Sequence, residues 1–295
     1  MNLHVRGLHD RPTTYNRAIY VDKKTFMSKS AEDLKKLSQF ESSQLPLHGI
    51  AVDYSKGHII APHSHTNNAQ LLYAISGTLL IETRSGRWLV PPNRAVWLAA
   101  QEEHTVVMRS HTKVRSLFIK TDAIHMDLPD TSYVINVSPL LKELILAATL
   151  FPVDYRKDTY ANLLVNLLLE ELKRHTALNL LLPWPKDARY HNICEYLIHY
   201  PTDSRSIPQW ASELHISAKT FERQFLKLTG ISFGKWRQQA RLLYSLEALS
   251  EGLPIIDIAF QFGYNSHSAY SAAFKDFFGQ RPSDFMAREK IISYV

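Results

Sequence analysis

The sequence predicts an α+β multidomain protein with a β-rich N-terminal half, a helical linker and an all-α C-terminal domain. Short alternating runs separated by turn residues occupy residues 46–125, whereas apolar residues at helical spacing dominate the remainder. In the last third, one helix–turn–helix pattern occurs twice. The length of 295 residues is that of about two domains.

Residues 1–45 are polar and mixed in charge, and we predict an N-terminal arm there. No apolar segment follows the first charges, so no secretion signal is expected. The longest apolar stretch, Leu163–Leu172, contains polar residues and is too short to span a bilayer. The single cysteine, Cys194, excludes an intramolecular disulfide. Together these features predict a soluble cytoplasmic protein without a membrane partner.

Residues 46–125 are predicted to form an all-β domain. Turn signals such as Ser76-Gly77 and Pro91-Pro92-Asn93 separate short runs at regular spacing, which is typical of a β-sandwich or β-barrel. The predicted strands are Gly49–Tyr54, Gln70–Ile75, Thr78–Thr83, Trp88–Val90, Val96–Ala99, Thr105–Met108 and Val114–Ile119.

Three histidines in this domain suit a binding site. His63 and His65 lie two residues apart, so both rings share one face of a strand, and His104 on a later strand offers a third imidazole. Neutral imidazoles hold divalent metals. The same face can instead line a pocket for a small-molecule effector, or the histidines can be satisfied interior residues. The candidate effector-binding residues are His63, His65, Gln70, Tyr73, Trp97 and His104, with His63, His65 and His104 as the alternative metal ligands; no cofactor is required.

Residues 126–182 are predicted to be helical. Ser138-Pro139 opens one helix up to Leu150, and a second helix runs from about Arg156 to Thr176. Leucines 163, 164, 167, 168 and 172 form a broad face of the second helix, which either packs within the monomer or forms the contact of a homodimer. Two prolines in residues 183–187 predict a stiff linker.

The final domain, residues 188–295, contains the repeated pattern. In each copy an apolar run predicts a helix, a serine predicts the N-cap of a second helix, and a glycine 13 residues later ends it. Phe233–Glu251 between the copies predicts one helix of about 28 Å. The copies are Ile207-x-x-Trp210-Ala211-x-x-Leu214 followed by Ser217 and Gly230, and Ile255-x-x-Ile258-Ala259-x-x-Phe262 followed by Ser266 and Gly279.

Such helix pairs place their second helix in the major groove of DNA. One turn of B-DNA is about 34 Å, so the connecting helix can hold the two recognition helices, here called the readers, near successive major grooves. Arg223 is the strongest single candidate, because a guanidinium can bind guanine bidentately; a merely solvated face is the alternative. The predicted DNA contacts are Ser217, Lys219, Thr220, Glu222, Arg223 and Lys227 in the first unit, Lys235, Arg237 and Arg241 on the connecting helix, and His267, Ser268, Ser271, Ala272 and Lys275 in the second unit.

Bulk charge supports a polyanionic partner only weakly. The formal net charge is +6 and the pI about 9.2. Residues 186–290 contain 13 lysines and arginines against 11 acidic residues, so the excess is not concentrated in the repeat domain. The DNA-binding prediction therefore depends on the motif.

Residues 190–288 resemble the DNA-binding domain of AraC/XylS-type transcriptional regulators. The resemblance implies base contacts at Lys219, Glu222 and Arg223, and at His267, Ser268, Ser271 and Ala272; family members commonly carry arginine where this chain has Ala272. It also implies promoter DNA and RNA polymerase as partners, and an activator of transcription. The matching segments are Leu214–Phe225, Trp236–Leu242, Ile258–Ser266, Ser268–Lys275 and Phe278–Phe285.

The spacing Gly57-x5-His63-x-His65-x4-Gln70-x6-Gly77 is similar to the first motif of the cupin superfamily, and residues 91–104 resemble the second. Gln70 replaces the usual glutamate, which removes a charge that helps to hold a hard cation. The two resemblances imply a cupin-like β-barrel that senses an effector, in a regulator that is not an enzyme. The alternatives are a cupin dioxygenase or isomerase with an accessory DNA-binding domain, and an effector-independent DNA-binding protein whose barrel only dimerises.

Overall fold

The computed structural model describes residue 35 and residues 43–122, 131–152, 154–175, 177–178 and 180–285. Most of the predicted arm, residues 1–45, therefore lies outside the described residues. The described strands precede most of the helices, in the predicted order.

The strands form two antiparallel sheets. The six-stranded sheet has the order β1-β8-β3-β6-β9-β10, and the five-stranded sheet has the order β11-β5-β4-β7-β2. The strands are β1 Leu47–Tyr54, β2 Ile59–His63, β3 Asn68–Ser76, β4 Leu79–Thr83, β5 Gly86–Val90, β6 Arg94–Leu98, β7 His104–Met108, β8 Thr112–Lys120, β9 Tyr133–Asn136, β10 Ala177–Leu178 and β11 Leu181–Pro183.

The cupin-like β-barrel that the sequence predicts is not closed among the described strands. The two sheets share no hydrogen-bonded strand pair, so they form an open two-sheet arrangement. Alternation along each strand divides the side chains between two cores. Leu72 and Phe118 of the larger sheet pack with Val106 of the smaller sheet. Leu71 and its neighbours on the opposite face pack against helices.

Two helices cover that opposite face: α1 (Pro139–Ala148), capped by the Ser138 hydroxyl, and α2 (Thr159–Lys173), capped by Asp158. The predicted boundary at residue 125 is wrong, because β9, β10 and β11 return to the sheets after it. Residues 126–182 are thus part of the sheet-rich unit. Of the predicted leucine face, Leu168 and Leu172 are buried, whereas Leu163 and Leu167 point outward.

The C-terminal part consists of helices whose caps agree with the sequence. Ser217 and Ser266 accept hydrogen bonds from Thr220 N and Ala269 N, and Gly230 and Gly279 end their helices with left-handed backbone, as predicted. Leu228, near the end of the second helix of the first copy, is exposed. The helices are α3 Ala188–His199, α4 Ile207–Glu213, α5 Ala218–Thr229, α6 Phe233–Ser250, α7 Ile255–Gln261 and α8 His267–Phe278.

The predicted stiff linker at residues 183–187 is in fact packed between the two parts. Pro183 lies in β11 and pairs with Gly86. The carbonyl of Pro183 accepts a hydrogen bond from Trp236 Nε1 on α6 at 2.8 Å, and the Arg87 guanidinium lies 3.6 Å from the centre of the Trp184 ring. In the described part of the chain, no helix has the length and apolar character needed to cross a membrane.

Candidate nucleic-acid surface and ligand cavity

The first helix pair, α4 and α5, is held by buried aromatic and small residues. Trp210 and Ala211 of α4 pack with Phe221 and Phe225 of α5. The turn between them contains His215 with φ of 54°, and Ile216 N donates to Ala211 O at 3.0 Å. A capping box between Ser206 and Gln209 starts α4, as the sequence predicts. The scaffold therefore fixes which side of α5 faces outward.

The outward side of α5 is charged. Lys219, Glu222, Arg223 and Lys227 are all exposed, and no ion pair engages them among the residues that the structure describes. Their spacing places them along one face of the helix. The hydroxyls of Ser217 and Thr220, in contrast, bond to each other at 2.9 Å while Ser217 caps the helix. Four long side chains are consequently available for a ligand.

The second helix pair, α7 and α8, has the same plan. Ile258 and Ala259 pack with Tyr270 and Phe274, and Gly263, with φ of 76°, occupies the turn position that His215 occupies in the first pair. The outward residues of α8 are shorter. His267, Ser268, Ala272 and Lys275 are exposed, and Ser271 is half-buried.

Two arginines predicted to contact phosphate are engaged inside the domain. Arg241 donates to the carbonyls of Pro201, Gly263 and Asp203 at 2.8, 3.1 and 3.2 Å, and Arg237 donates to Arg205 O at 2.7 Å. Burial lowers the pKa of both guanidinium groups. They brace the loop before α4 against α6 and the second turn. Both side chains remain half-buried, so the phosphate contacts stay predictions. Lys235, in contrast, is exposed.

A small cavity with a volume of about 20 Å³ lies between the two sheets. His63 and Gln70 contribute its polar atoms together with Ser116, which accepts a hydrogen bond from Gln70 Nε2 at 2.9 Å. A volume of about 10–15 Å³ holds one water molecule. In this conformation the cavity therefore has room for a water molecule or an ion, and not for a sugar-sized molecule. The apolar lining comes from Ile50, Val52, Tyr54, Ile60, Leu72, Val106, Met108 and Val114.

The three predicted histidines come together, and one of them, His63, also lines this cavity. His63 ends β2 and lies directly opposite His104 at the start of β7. Their ring centres are 4.3 Å apart, and the ring of His65 lies 5.1 Å from His63 and 5.7 Å from His104. Burial lowers the pKa of His104 to about 3, with a further contribution from His63. The imidazole of His104 is therefore neutral at pH 7.

Tyr73 and Trp97, two of the candidate effector contacts, do not face the cavity. Tyr73 is three residues from Gln70 on β3, so its side chain points to the opposite face of the sheet. There it packs, with Trp97 of β6, in the core beneath α1 and α2. The prediction that both residues contribute to the histidine-lined site is wrong, because they occupy the alternate positions of their strands and lie on the opposite face of the sheet.

Ion pairs that the sequence interpretation missed join the sheets to the helices. Arg109, the residue after β7, lies 3.2 Å from Glu247 of α6, and Glu247 is only 4% exposed. Arg87 of β5 contacts Glu82 at 2.6 Å and Glu195 of α3 at 2.5 Å. A signal existed, because the apolar stripe of α6 through Trp236, Ala240 and Leu243 continues onto position 247.

Comparisons with known proteins agree with this geometry. A family model described as a helix-turn-helix domain matches residues 210–288. The chain is 30% identical over 231 residues to the HTH-type transcriptional regulator NimR of Escherichia coli (strain K12), covering 78% of this chain and 84% of NimR. It is 29% identical over 163 residues to the arabinose operon regulatory protein of the same strain, covering 54% of each.

Among solved structures, ToxT from Vibrio cholerae O395 aligns with 82% of this chain and 97% of its own at 15% identity and a TM-score of 0.34. A TM-score of this size does not establish a shared overall fold.

Proposed function

Because the chain belongs to the AraC/XylS-type family of HTH-type transcriptional regulators, we propose that it binds promoter DNA with α5 and α8 and that a ligand between its sheets controls this binding. The observation that carries the proposal is the exposed face of α5, with Lys219, Glu222, Arg223 and Lys227 on a rigid scaffold. Basic side chains on such a face contact phosphates, and long polar ones read base edges.

The connecting helix sets the spacing of the two readers. α6 contains 18 residues, which corresponds to about 27 Å at 1.5 Å per residue. Two helix–turn–helix units joined by such a helix meet successive major grooves about 34 Å apart, with modest bending of the DNA. One chain then recognises two short sequence elements about one helical turn apart.

Selection from a pool of random duplexes tests the DNA-binding proposal directly. The full chain should enrich two short elements whose centres are about 10 base pairs apart. Binding to the selected duplex should exceed binding to a scrambled duplex by about 10³-fold or more at physiological salt. Equal binding to both duplexes would contradict sequence-specific recognition.

A short route connects the cavity to the readers. Met108 lines the cavity, and the next residue, Arg109, forms the ion pair with Glu247 of α6. α6 in turn carries both helix pairs. A ligand that shifts the end of β7 therefore alters the contact between Arg109 and α6, the helix that sets the spacing of the two readers. This contact is a physical basis for coupling between the cavity and the DNA-binding helices.

A double substitution tests this route without needing the ligand. Arg109→Met with Glu247→Leu removes both charges and keeps apolar volume, so folding stability is retained. We expect the affinity for the selected duplex to change by about 5–150-fold, the usual range of coupling between two sites. Lys113→Met, an exposed lysine on β8, is the matched control. An unchanged affinity in the double variant would reject the route.

We further propose a homodimer formed through α2. Tyr160, Leu163 and Leu167 are 69%, 64% and 43% exposed and follow helical spacing on one side of the helix. Leu163→Glu should convert a dimer into a monomer in sedimentation analysis while preserving the circular dichroism spectrum. A wild-type chain that sediments as a monomer at all concentrations would contradict this proposal.

The finer assignments follow family membership. We propose a cupin-like ancestry for the two-sheet domain, activation through contact with RNA polymerase, and a cytoplasmic location where promoter DNA is found. The competing function is a cupin dioxygenase or isomerase, which the histidine cluster favours. Turnover of a substrate by the metal-loaded chain would support that alternative, whereas ligand-dependent DNA affinity without turnover supports a regulator.

A further inference from the structure

We propose that an open pocket of the helical domain, between the first and the second helix–turn–helix unit, binds a small organic monoanion with an aromatic body, such as an aromatic carboxylate. This pocket, here called the arginine pocket, has a volume of about 600 Å³, which is within the range of small-molecule sites. Its lining includes Thr202 and Ser204 of the loop before α4, Arg237 and Arg241 of α6, and Phe260 and Tyr264 on either side of the second turn.

The charged side chains at the arginine pocket carry a net charge of +1. Three arginines, Arg205, Arg237 and Arg241, lie near two carboxylates, those of Asp203 and Glu213. Arg205 pairs with both carboxylates, at 2.8 Å from Asp203 and 2.6 Å from Glu213. No ion pair engages Arg237 or Arg241 in the part of the chain that the structure describes. One negative charge from a ligand would balance the cluster.

Both guanidinium groups that line the arginine pocket are poorly solvated. Burial lowers the pKa of Arg237 and of Arg241, and the charge of Arg241 lowers the pKa of Arg237 further. Arg241 donates to three carbonyl oxygens, which offer dipoles and no full charge. A half-buried cation is stabilised when an anion contacts it. An oxyanion in the pocket therefore supplies the charge that the carbonyls do not.

Two buried polar atoms of the lining residues can hold such an oxyanion. Arg237 Nε and the Tyr264 hydroxyl have no hydrogen-bond partner among the described residues. Buried donors in folded proteins are nearly always paired, so an acceptor from outside the chain completes both groups. Burial raises the pKa of Tyr264 to about 12. The hydroxyl therefore keeps its proton at pH 7 and can donate it to a carboxylate oxygen.

An aromatic side chain at the mouth of the arginine pocket selects the body of the ligand. Phe260, near the end of α7, is 54% exposed although it lines the pocket. A flat apolar ring attached to a carboxylate can cover Phe260 while its oxygens reach the guanidinium groups. Inorganic phosphate would satisfy the charge and leave the ring uncovered. The lining therefore favours an aromatic carboxylate over a bare inorganic anion.

The effect of the anion on DNA rests on the proposed function, whereas anion binding does not. Arg241 connects the loop before α4 to the turn before α8. Asn265, which also lines the pocket, directly precedes Ser266, the N-cap of α8. Recognition helices approach DNA with their N-terminal residues, so a bound anion would lie near the phosphate backbone. Like charges repel, and the ligand should therefore weaken DNA binding.

Calorimetric titration of the untagged full chain with sodium benzoate, with sodium chloride as the blank, tests the anion site. The wild type should bind one benzoate with a dissociation constant of about 1 mM or lower. Arg237→Gln should weaken binding about tenfold or more, because a hydrogen bond to a charged group is lost. Arg281→Gln, the same change at an exposed arginine of this domain outside the pocket, is the matched control and should bind as the wild type does.

Tyr264→Phe provides a second variant that breaks no hydrogen bond within the described chain. It should remain folded by circular dichroism and weaken benzoate binding by about 2–10-fold. No saturable binding by the wild type at about 10 mM benzoate, or equal weakening by Arg237→Gln and Arg281→Gln, would overturn the site. Binding of inorganic phosphate in a parallel titration, without binding of benzoate, would overturn the aromatic class of ligand.

The same ligand tests the regulatory effect. Saturating benzoate should lower the affinity for the selected duplex about fivefold or more, relative to sodium chloride at equal concentration, and this effect should be absent in Arg237→Gln. An unchanged affinity would overturn the regulatory effect, while the calorimetric result decides the site by itself. Failure of the benzoate-free wild type to distinguish the selected duplex from a scrambled one would instead reject the proposed function.

Discussion

The two helix–turn–helix units have similar buried residues and different exposed residues. In both, the buried alanine of the first helix, Ala211 or Ala259, packs with two aromatic residues of the second helix, Phe221 and Phe225 in one unit and Tyr270 and Phe274 in the other. Serine starts and glycine ends the second helix of each. Outside, α5 presents two lysines, a glutamate and an arginine, whereas α8 presents mostly small residues.

This difference shows that the scaffold and the reading surface are independent. The interior residues determine that each unit folds as a helix pair, and they permit any outward side chain. Base recognition depends on the outward residues. We therefore expect α5 to supply most of the direct base contacts, and α8 to contribute mainly through phosphates and groove shape.

The largest expected effect tests what the two units share. If the chain makes about 6–10 phosphate contacts, its affinity for duplex DNA should fall by about 10³–10⁵ between 50 and 200 mM salt. Lys219→Ala in α5 and Lys275→Ala in α8 should each reduce the salt slope by about one. Fluorescence anisotropy measures both quantities. A flat salt response would remove duplex DNA as the ligand of either unit.

Arg223→Ala tests the expectation that α5 makes more direct base contacts than α8. The loss of a bidentate base contact lowers affinity for the selected duplex by about 1–3 kcal/mol, or about 5–150-fold, with little change for a scrambled duplex. Ser268→Ala in α8 is the comparison and should have a smaller effect. The reverse order, with Ser268→Ala the more damaging, would show that the second unit is the main reader.

The turns provide a third comparison. An added Cβ at Gly263 meets Pro201 O at 2.7 Å and the Arg241 guanidinium at 2.8 Å, and φ there is +76°. Gly263→Ala should lower the free energy of unfolding by about 1–3 kcal/mol. Gly230→Ala has the same φ of +76° but no neighbour within 4 Å, so it should cost about 1 kcal/mol. Denaturant titration measures both, and equal losses would refute the role of close approach.

The N-caps give the smallest effect. Ser217→Ala and Ser266→Ala each remove a hydrogen bond to a backbone N–H and should lower the free energy of unfolding by about 1 kcal/mol. Their losses should agree, because the scaffold is common to the units. Thermal unfolding measures both losses, with Ser212→Ala, an exposed serine that caps no helix, as the control. Clearly different losses for the two variants would mean that the two caps are not equivalent.

Local features were predictable from the sequence, and long-range ones were not. The caps at Ser217 and Ser266 depend on residues within four positions, so spacing alone predicts them. The engagement of Arg241 by three carbonyls depends on loops up to 40 residues away, and nothing in its immediate sequence marks it as internal. β10 and β11 contain two and three residues, which is too short for periodicity to identify.

The candidate ligand site was predictable in part for the same reason. The prediction that His63 and His65 share one face of a strand is wrong for His65, because β2 ends at His63 and His65 lies in the loop after it. His63 pairs with His104 of β7, so the three rings still come together. Tyr73 and Trp97 are aromatic residues of the same strands as Gln70 and Leu98, but they occupy the alternate positions. Composition identified the strands correctly, and only counting along them separates the two faces.

The burial of α6 limits how freely these domains can be exchanged. Trp236 donates to Pro183 of the sheet domain, and Glu247 pairs with Arg109 from the same domain. If the C-terminal helices were fused to a foreign sensor domain, the Trp236 indole would be exposed and the Glu247 carboxylate would lose the charge of Arg109 that neutralises it. A chimera joined before β11 keeps the Pro183 carbonyl that Trp236 contacts, and the foreign domain would need an arginine in the place of Arg109 to pair with Glu247.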